Sequence, residues 1–169
     1  MNVDQIVLPD EKLALIANFS KLDATELAMI ISDHPELPNE YFNFLRRFGY
    51  GKLREAGEPK NFPAHFEVLM KPKSAEREYF GDTEIYQNGA KGDVLIFGLE
   101  STGIAYGFDV GNGNALVKVD NYRLVTNLHL NFPEFIFGLL ACYPDLPEKY
   151  EDGYWLNDIE ERFSIHGLS

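Results

Sequence analysis

Cysteine is almost missing from this chain of 169 residues, with Cys142 the only one. An intramolecular disulfide and a thiolate metal cluster are thereby excluded. In Leu139-Leu140-Ala141-Cys142-Tyr143 the thiol sits at the apolar end of a predicted helix, so it reads as a buried, inert side chain. Basic residues are also scarce: 15 Lys and Arg face 27 Asp and Glu, for a formal charge of −12. Such a chain has nothing to neutralise a row of phosphates, which argues against direct nucleic-acid binding. It argues equally against docking on anionic lipid. No apolar run approaches membrane-spanning length. Met1-Asn2-Val3-Asp4-Gln5 lacks the basic region and apolar stretch of a signal peptide, so a cytoplasmic protein is expected.

Recognisable chemistry is missing too. His34, His65, His129 and His166 lie far apart, and none has a partner at metal-helix spacing. No serine lies in a Gly-x-Ser-x-Gly setting, and an apolar helix end is a poor thiolate environment for Cys142. Gly111-Asn112-Gly113-Asn114 lacks the Gly-Lys-Ser/Thr ending of a phosphate loop and is followed by a strand pattern. Glu160-Glu161, and Glu148 with Glu151-Asp152, invite a divalent cation or an acid/base pair, but adjacent acids are far more often a solvated face. We read no catalytic residue, no metal site and no cofactor.

What is present is a substantial apolar complement. Hydrophobic residues make up 45% of the chain and aromatics 14%, enough to offset the entropy of ordering one domain. The N-terminal third reads as helical. Acids at Asp10 and Glu11 precede Leu13, Ile16, Ala17 and Phe19 at helical spacing. Asp23 with Glu26 makes a box-like start for a helix burying Leu27, Ile30 and Ile31. Pro38 suits a first helical position before Tyr41, Phe44, Leu45 and Phe48, and Gly49 with Gly51 ends that helix. Phe42 and Tyr50 fall off this stripe and are candidates for a partner-facing surface.

A polar loop is expected from Lys52 to Asn61, then a strand from Ala64 to Met70 ended by Pro72, then a short helix from Ser74 to Phe80. Asp93-Val94-Leu95-Ile96-Phe97-Gly98 reads as a buried central strand. Ile104 to Val110 and Ala115 to Val119 flank Gly111-Asn112-Gly113-Asn114, whose residues supply the positive φ angles of a hairpin turn. An apolar helix follows from Phe132 to Cys142. Beyond Pro144 the chain turns acidic, and Leu156, Ile159 and Phe163 share a helical face. We therefore divide the chain into a domain at 1–143 and an appendage at 144–169 that packs back through Trp155.

Three of these segments, in this order, resemble the SUKH superfamily, in the branch similar to the yeast cell-wall assembly regulator. Leu37-Pro38, Tyr41, Leu45 and Gly49 with Gly51 match its Leu-Pro-x-x-Tyr/Phe helix and terminal glycines. Phe97-Gly98, Gly103 and Phe108-Asp109 match its strand, glycine turn and aromatic-plus-Asp strand. Phe132, Phe135, Leu139 and Leu140 match its closing helix. The family more often has Asn-Gly-Gly where this chain has Gly49-Tyr50-Gly51. The resemblance implies an α+β fold, a single SUKH-like domain with a largely antiparallel sheet flanked by helices. In bacteria it implies an immunity protein, which binds a cognate polymorphic toxin, often a nuclease, and blocks it.

The expected partner is thus a protein, a basic toxin domain, with no nucleic acid and no membrane involved. An acidic inhibitor complements a basic nuclease and is steered toward it. The alternative is a regulatory or scaffolding module of the same fold, with no toxin. Local charge density beside aromatics selects Glu148, Tyr150, Glu151, Asp152, Tyr154, Asp158 and Glu161 as partner-binding candidates.

Overall fold

The computed structural model describes residues 10–17, 19–53, 66–75, 94–122 and 124–142. Its strands are β1 (Gly51–Leu53), β2 (Phe66–Ser74), β3 (Val94–Glu100), β4 (Ala105–Asp109), β5 (Ala115–Val119) and β6 (Val125–Asn127). They form one sheet in the order β1-β2-β3-β4-β5-β6, with every neighbouring pair antiparallel. The described helices are α1 (Asp10–Ala17), α2 (Ala24–Asp33), α3 (Asn39–Arg47) and α4 (Phe132–Cys142). The fold class is α+β, as the sequence predicts.

The helices form where local chemistry favours them. Asp23 caps α2 by accepting from the Thr25 and Glu26 N–H groups, while Glu26 accepts from the Asp23 N–H, completing the expected box. Asn131 and Glu134 repeat that exchange at the start of α4, both bonds at 2.9 Å. The last carbonyls of α3 accept from Lys21, whose Nζ lies 2.6 Å from Arg47 O and 3.2 Å from Phe48 O. Gly49 then turns the chain at φ +88, and its backbone lies so close to Ser20 that a Cβ would come within 2.0 Å of Ser20 O. Only glycine fits there.

Two bulges fix which side chains face the helices. The β3–β4 register shifts between Ile96 and Gly98, so Phe97 is the inserted residue. Alternation puts Leu95 and Phe97 in the helix-side core and Ile96 in a second cluster on the far face; past the bulge the parity reverses, and Leu99 packs against that second cluster. In β2 the register jumps between Val68 and Lys73. Pro72 lies in this irregular stretch and does not end the strand, which runs on to Ser74. A proline is tolerated at a bulge because no ladder bond needs its missing N–H. The same bulge contains Leu69, whose carbonyl accepts the buried Tyr41 hydroxyl at 3.2 Å. Burial pushes the Tyr41 phenol far above its ordinary pKa.

Other expectations are corrected. Lys52 and Leu53 are in β1, not a loop, and Ser74 is in β2, not a helix. Pro38 is the N-cap of α3, one residue before the helix. Phe42 is only 4% exposed, so it offers no partner-facing surface, and Tyr50 packs partly buried against the core. Phe42 is covered because its ring meets Tyr41 at a centroid distance of 5.9 Å within the aromatic core. Strand β6 has no counterpart among the sequence expectations.

Candidate interaction surface

Among the described residues, those with most to offer a partner lie at the turn end of the sheet. Asp120 shapes the β5–β6 turn: its Oδ1 accepts from the N–H groups of Tyr122 and Leu124, both at 2.9 Å. Its N–H in turn donates to Leu124 O at 3.2 Å. This bonding holds a turn from which Tyr122 stands 91% exposed and Leu124 41% exposed. Asn121 ties it to the neighbouring β3–β4 turn, donating from Nδ2 to Thr102 O at 3.0 Å. Gly103, at φ +92, lies against Asn121 so closely that a Cβ would meet Asn121 Oδ1 at 2.3 Å.

Beneath the turns sits a buried carboxylate. Glu100 is 8% exposed and accepts hydrogen bonds from the Tyr106 hydroxyl and from Thr102 Oγ1. A buried carboxylate is tolerated when its lone pairs are filled in this way. The arrangement braces the β3–β4 turn against the core strand β4. At the opposite end of the sheet, Asp109 is 2% exposed and its Oδ1 has no hydrogen-bond partner. Burial raises its pKa, and the N–H groups of Asn112 and Gly111 pull it back only in part.

The sequence-predicted partner residues Glu148, Tyr150, Glu151, Asp152, Tyr154, Asp158 and Glu161 lie outside the described residues, as do Trp155, His65 and His166. His34 lies 3.7 Å from Glu36 across a short loop, and His129 is exposed at φ 54. No group of three or more His, Cys, Asp or Glu among the described residues is arranged to hold a metal ion. Among them, too, no helix is long and apolar enough to cross a membrane.

Sequence reasoning missed the Tyr122 turn. Its signal was there, because Asp120-Asn121 follows a strand pattern and Asp is prone to accept from the N–H two residues on. Glu100 was missed because nothing local marks which acid the fold will bury. Together these residues present an exposed aromatic side chain on a hydrogen-bonded turn, beside open polar backbone, a chemistry suited to protein recognition. Comparisons with protein-family models, with curated proteins and with solved structures find no match.

Proposed function

We propose that this chain is an immunity-type protein-binding module, which neutralises a toxin domain inside the cell by stoichiometric occlusion. The observation that carries the reading is Tyr122, held almost fully exposed by a hydrogen-bonded turn on a chain of formal charge −12. An exposed tyrosine on a backbone-held turn is a suitable docking anchor, and the net negative charge of the chain speeds encounter with a basic partner. A basic nuclease is the target class that this charge complements. The antiparallel sheet with its helices agrees with the architecture that the SUKH resemblance implies, and that resemblance supplies the toxin-neutralising role.

The test is co-expression with the toxin domain encoded beside the chain, read as growth, together with complex formation by size-exclusion chromatography. Rescue with a stoichiometric complex, weakened by salt, is the expected result. A wild-type chain that neither rescues growth nor binds removes the immunity reading. A stable complex with a housekeeping protein in its place would make the chain a regulatory module.

A further inference from the structure

Among the described residues strand β6 has one neighbour, β5, and its phase on that neighbour can be read from two backbone bonds. Asp120 N–H donates to Leu124 O at 3.2 Å, and Leu128 N–H donates to Leu116 O at 2.9 Å. Between them the register pairs Val119 with Val125, Lys118 with Thr126, and Val117 with Asn127. Hydrogen-bonded and non-hydrogen-bonded pairs alternate along an antiparallel ladder. Thr126 therefore points its backbone groups inward to Lys118, and Val125 and Asn127 turn their N–H and C=O groups outward. Among the described residues nothing pairs with them, because β6 is the last strand of the sheet.

The two edges of the sheet differ in their protection. At the β1 edge the chain carries Lys52, and the preceding Tyr50 is already bridged to Ser20 by two backbone bonds. Lysines and covering segments are the usual guards of an open edge. Val125, Thr126 and Asn127 bring no charge, no proline and no bulge. The edge runs out at His129, whose positive φ breaks the strand and whose N–H is taken by Asn127 Oδ1. At its other end stand the exposed Tyr122 and Leu124.

We propose that β6 is the docking edge for an extended segment of a basic partner protein, which adds as a further antiparallel strand and is anchored by Tyr122 and Leu124. The inference rests on the protein-binding reading above and names its mode of recognition. Strand addition takes affinity from main-chain bonds and specificity from alternate side chains. A second copy of the chain could satisfy the same edge around a twofold at Thr126. It would bring a second chain of formal charge −12 close to the first, and that whole-chain repulsion favours a basic occupant.

The probe is a short peptide of alternating valine and lysine, followed by NMR on the labelled chain. In the free chain the Val125 and Asn127 amides should exchange with solvent faster than those of Thr126 and Leu128. Addition of peptide should shift the Val125 and Asn127 amides. Methylating alternate peptide nitrogens, or replacing lysine by glutamate, should weaken binding by about tenfold or more. Protected Val125 and Asn127 amides in the free chain, or no shift at them up to millimolar peptide, would overturn the proposal. So would shifts that grow with the chain's own concentration in the absence of peptide, which would assign the edge to a second copy.

A second arm separates this idea from the immunity reading. Val125→Pro deletes an outward N–H without removing an inward ladder bond. If wild type rescues growth and a folded Val125→Pro chain rescues equally well, the edge is not the site and the immunity reading stands. If the peptide binds at β6 as described but no toxin is neutralised, the edge stands and the immunity reading falls.

Discussion

The two faces of the sheet are built from different materials. On the helix face, Phe66, Phe97, Tyr106 and Phe108 meet Tyr41 and Phe44 of α3 and Phe132 and Phe135 of α4 in one aromatic cluster. Phe97 alone lies within 4.9 to 6.0 Å, ring centroid to centroid, of Tyr41, Phe108, Phe132 and Phe135. Gly98 leaves room for this packing, since a Cβ there would come within 2.5 Å of Phe66 Cζ. On the far face the buried apolar cluster among the described residues is Leu69, Ala75, Val94, Ile96, Ala105, Val117 and Val119, with no aromatic ring among them. The core residues of all four described helices belong to the first cluster. Large flat rings at many angles can key several helices in place at once, and short branched side chains make a smoother surface. Orientation of the helices is thus vested in one face.

The largest effect that would break this comparison is truncation at its centre. Phe97→Ala should cost about 3–5 kcal/mol, read as a fall in the urea midpoint at unchanged slope. Ile96, the adjacent residue in sequence and equally buried, faces the other way. Ile96→Val should cost only about 0.5–1.5 kcal/mol by the same measurement. A loss at Phe97→Ala below about 1.5 kcal/mol would mean that the aromatic face is not what holds the helices.

Asp109 sharpens the contrast, because strand alternation puts its buried carboxylate on the aliphatic face, opposite Ala115. Its pKa is raised in the folded chain, mainly by burial. Below the unfolded value, about 3.9, both states hold the proton and the site carries no penalty. As pH rises through the higher folded value, the buried charge removes stability. Asp109→Asn should therefore raise the melting temperature near neutral pH and change it little at about pH 3. A loss of stability at neutral pH would mean that the Gly111 and Asn112 N–H groups hold the carboxylate in its charged form.

The smallest effect on stability is expected outside both faces. Tyr122→Ala should shift folding stability by less than about 0.5 kcal/mol, because the ring is exposed and the Asp120 bonds go to backbone. Partner binding should nonetheless fall by about tenfold or more, since exposed tyrosine anchors concentrate binding energy. Titration of the partner against wild type and variant reads the second number. An unchanged affinity would take Tyr122 out of the interface.

Much of the fold was legible in the residues themselves. Asp23 with Glu26 marked a helix start, the glycine-asparagine run marked the β4–β5 hairpin, and the apolar run from Val94 marked a buried strand. These signals are local: a cap, a positive φ and a run of apolar side chains act through near neighbours in sequence. Gly113 at φ 66 and Asn114 at φ 60 are the conformations their residue types favour. Periodicity likewise placed Tyr41, Phe44 and Leu45 inside.

Tertiary structure decided the rest. Proline in β2 reads as a stop until a bulge opposite Phe97 makes its missing N–H harmless. Phe42 reads as exposed when only one helix is counted, and is buried once the aromatic core closes around it. Strand β6 is three residues whose identity as a strand comes from pairing with β5. The candidate interaction surface belongs to the same class. Composition pointed to the acidic stretch beyond Pro144, which lies outside the described residues; a turn held by Asp120 and an edge with outward backbone groups exist only once strands are in register. Sequence determined the pieces because their causes lie within a few residues. Pairing, register and exposure depend on groups far apart in the chain, and only the folded sheet brings those together.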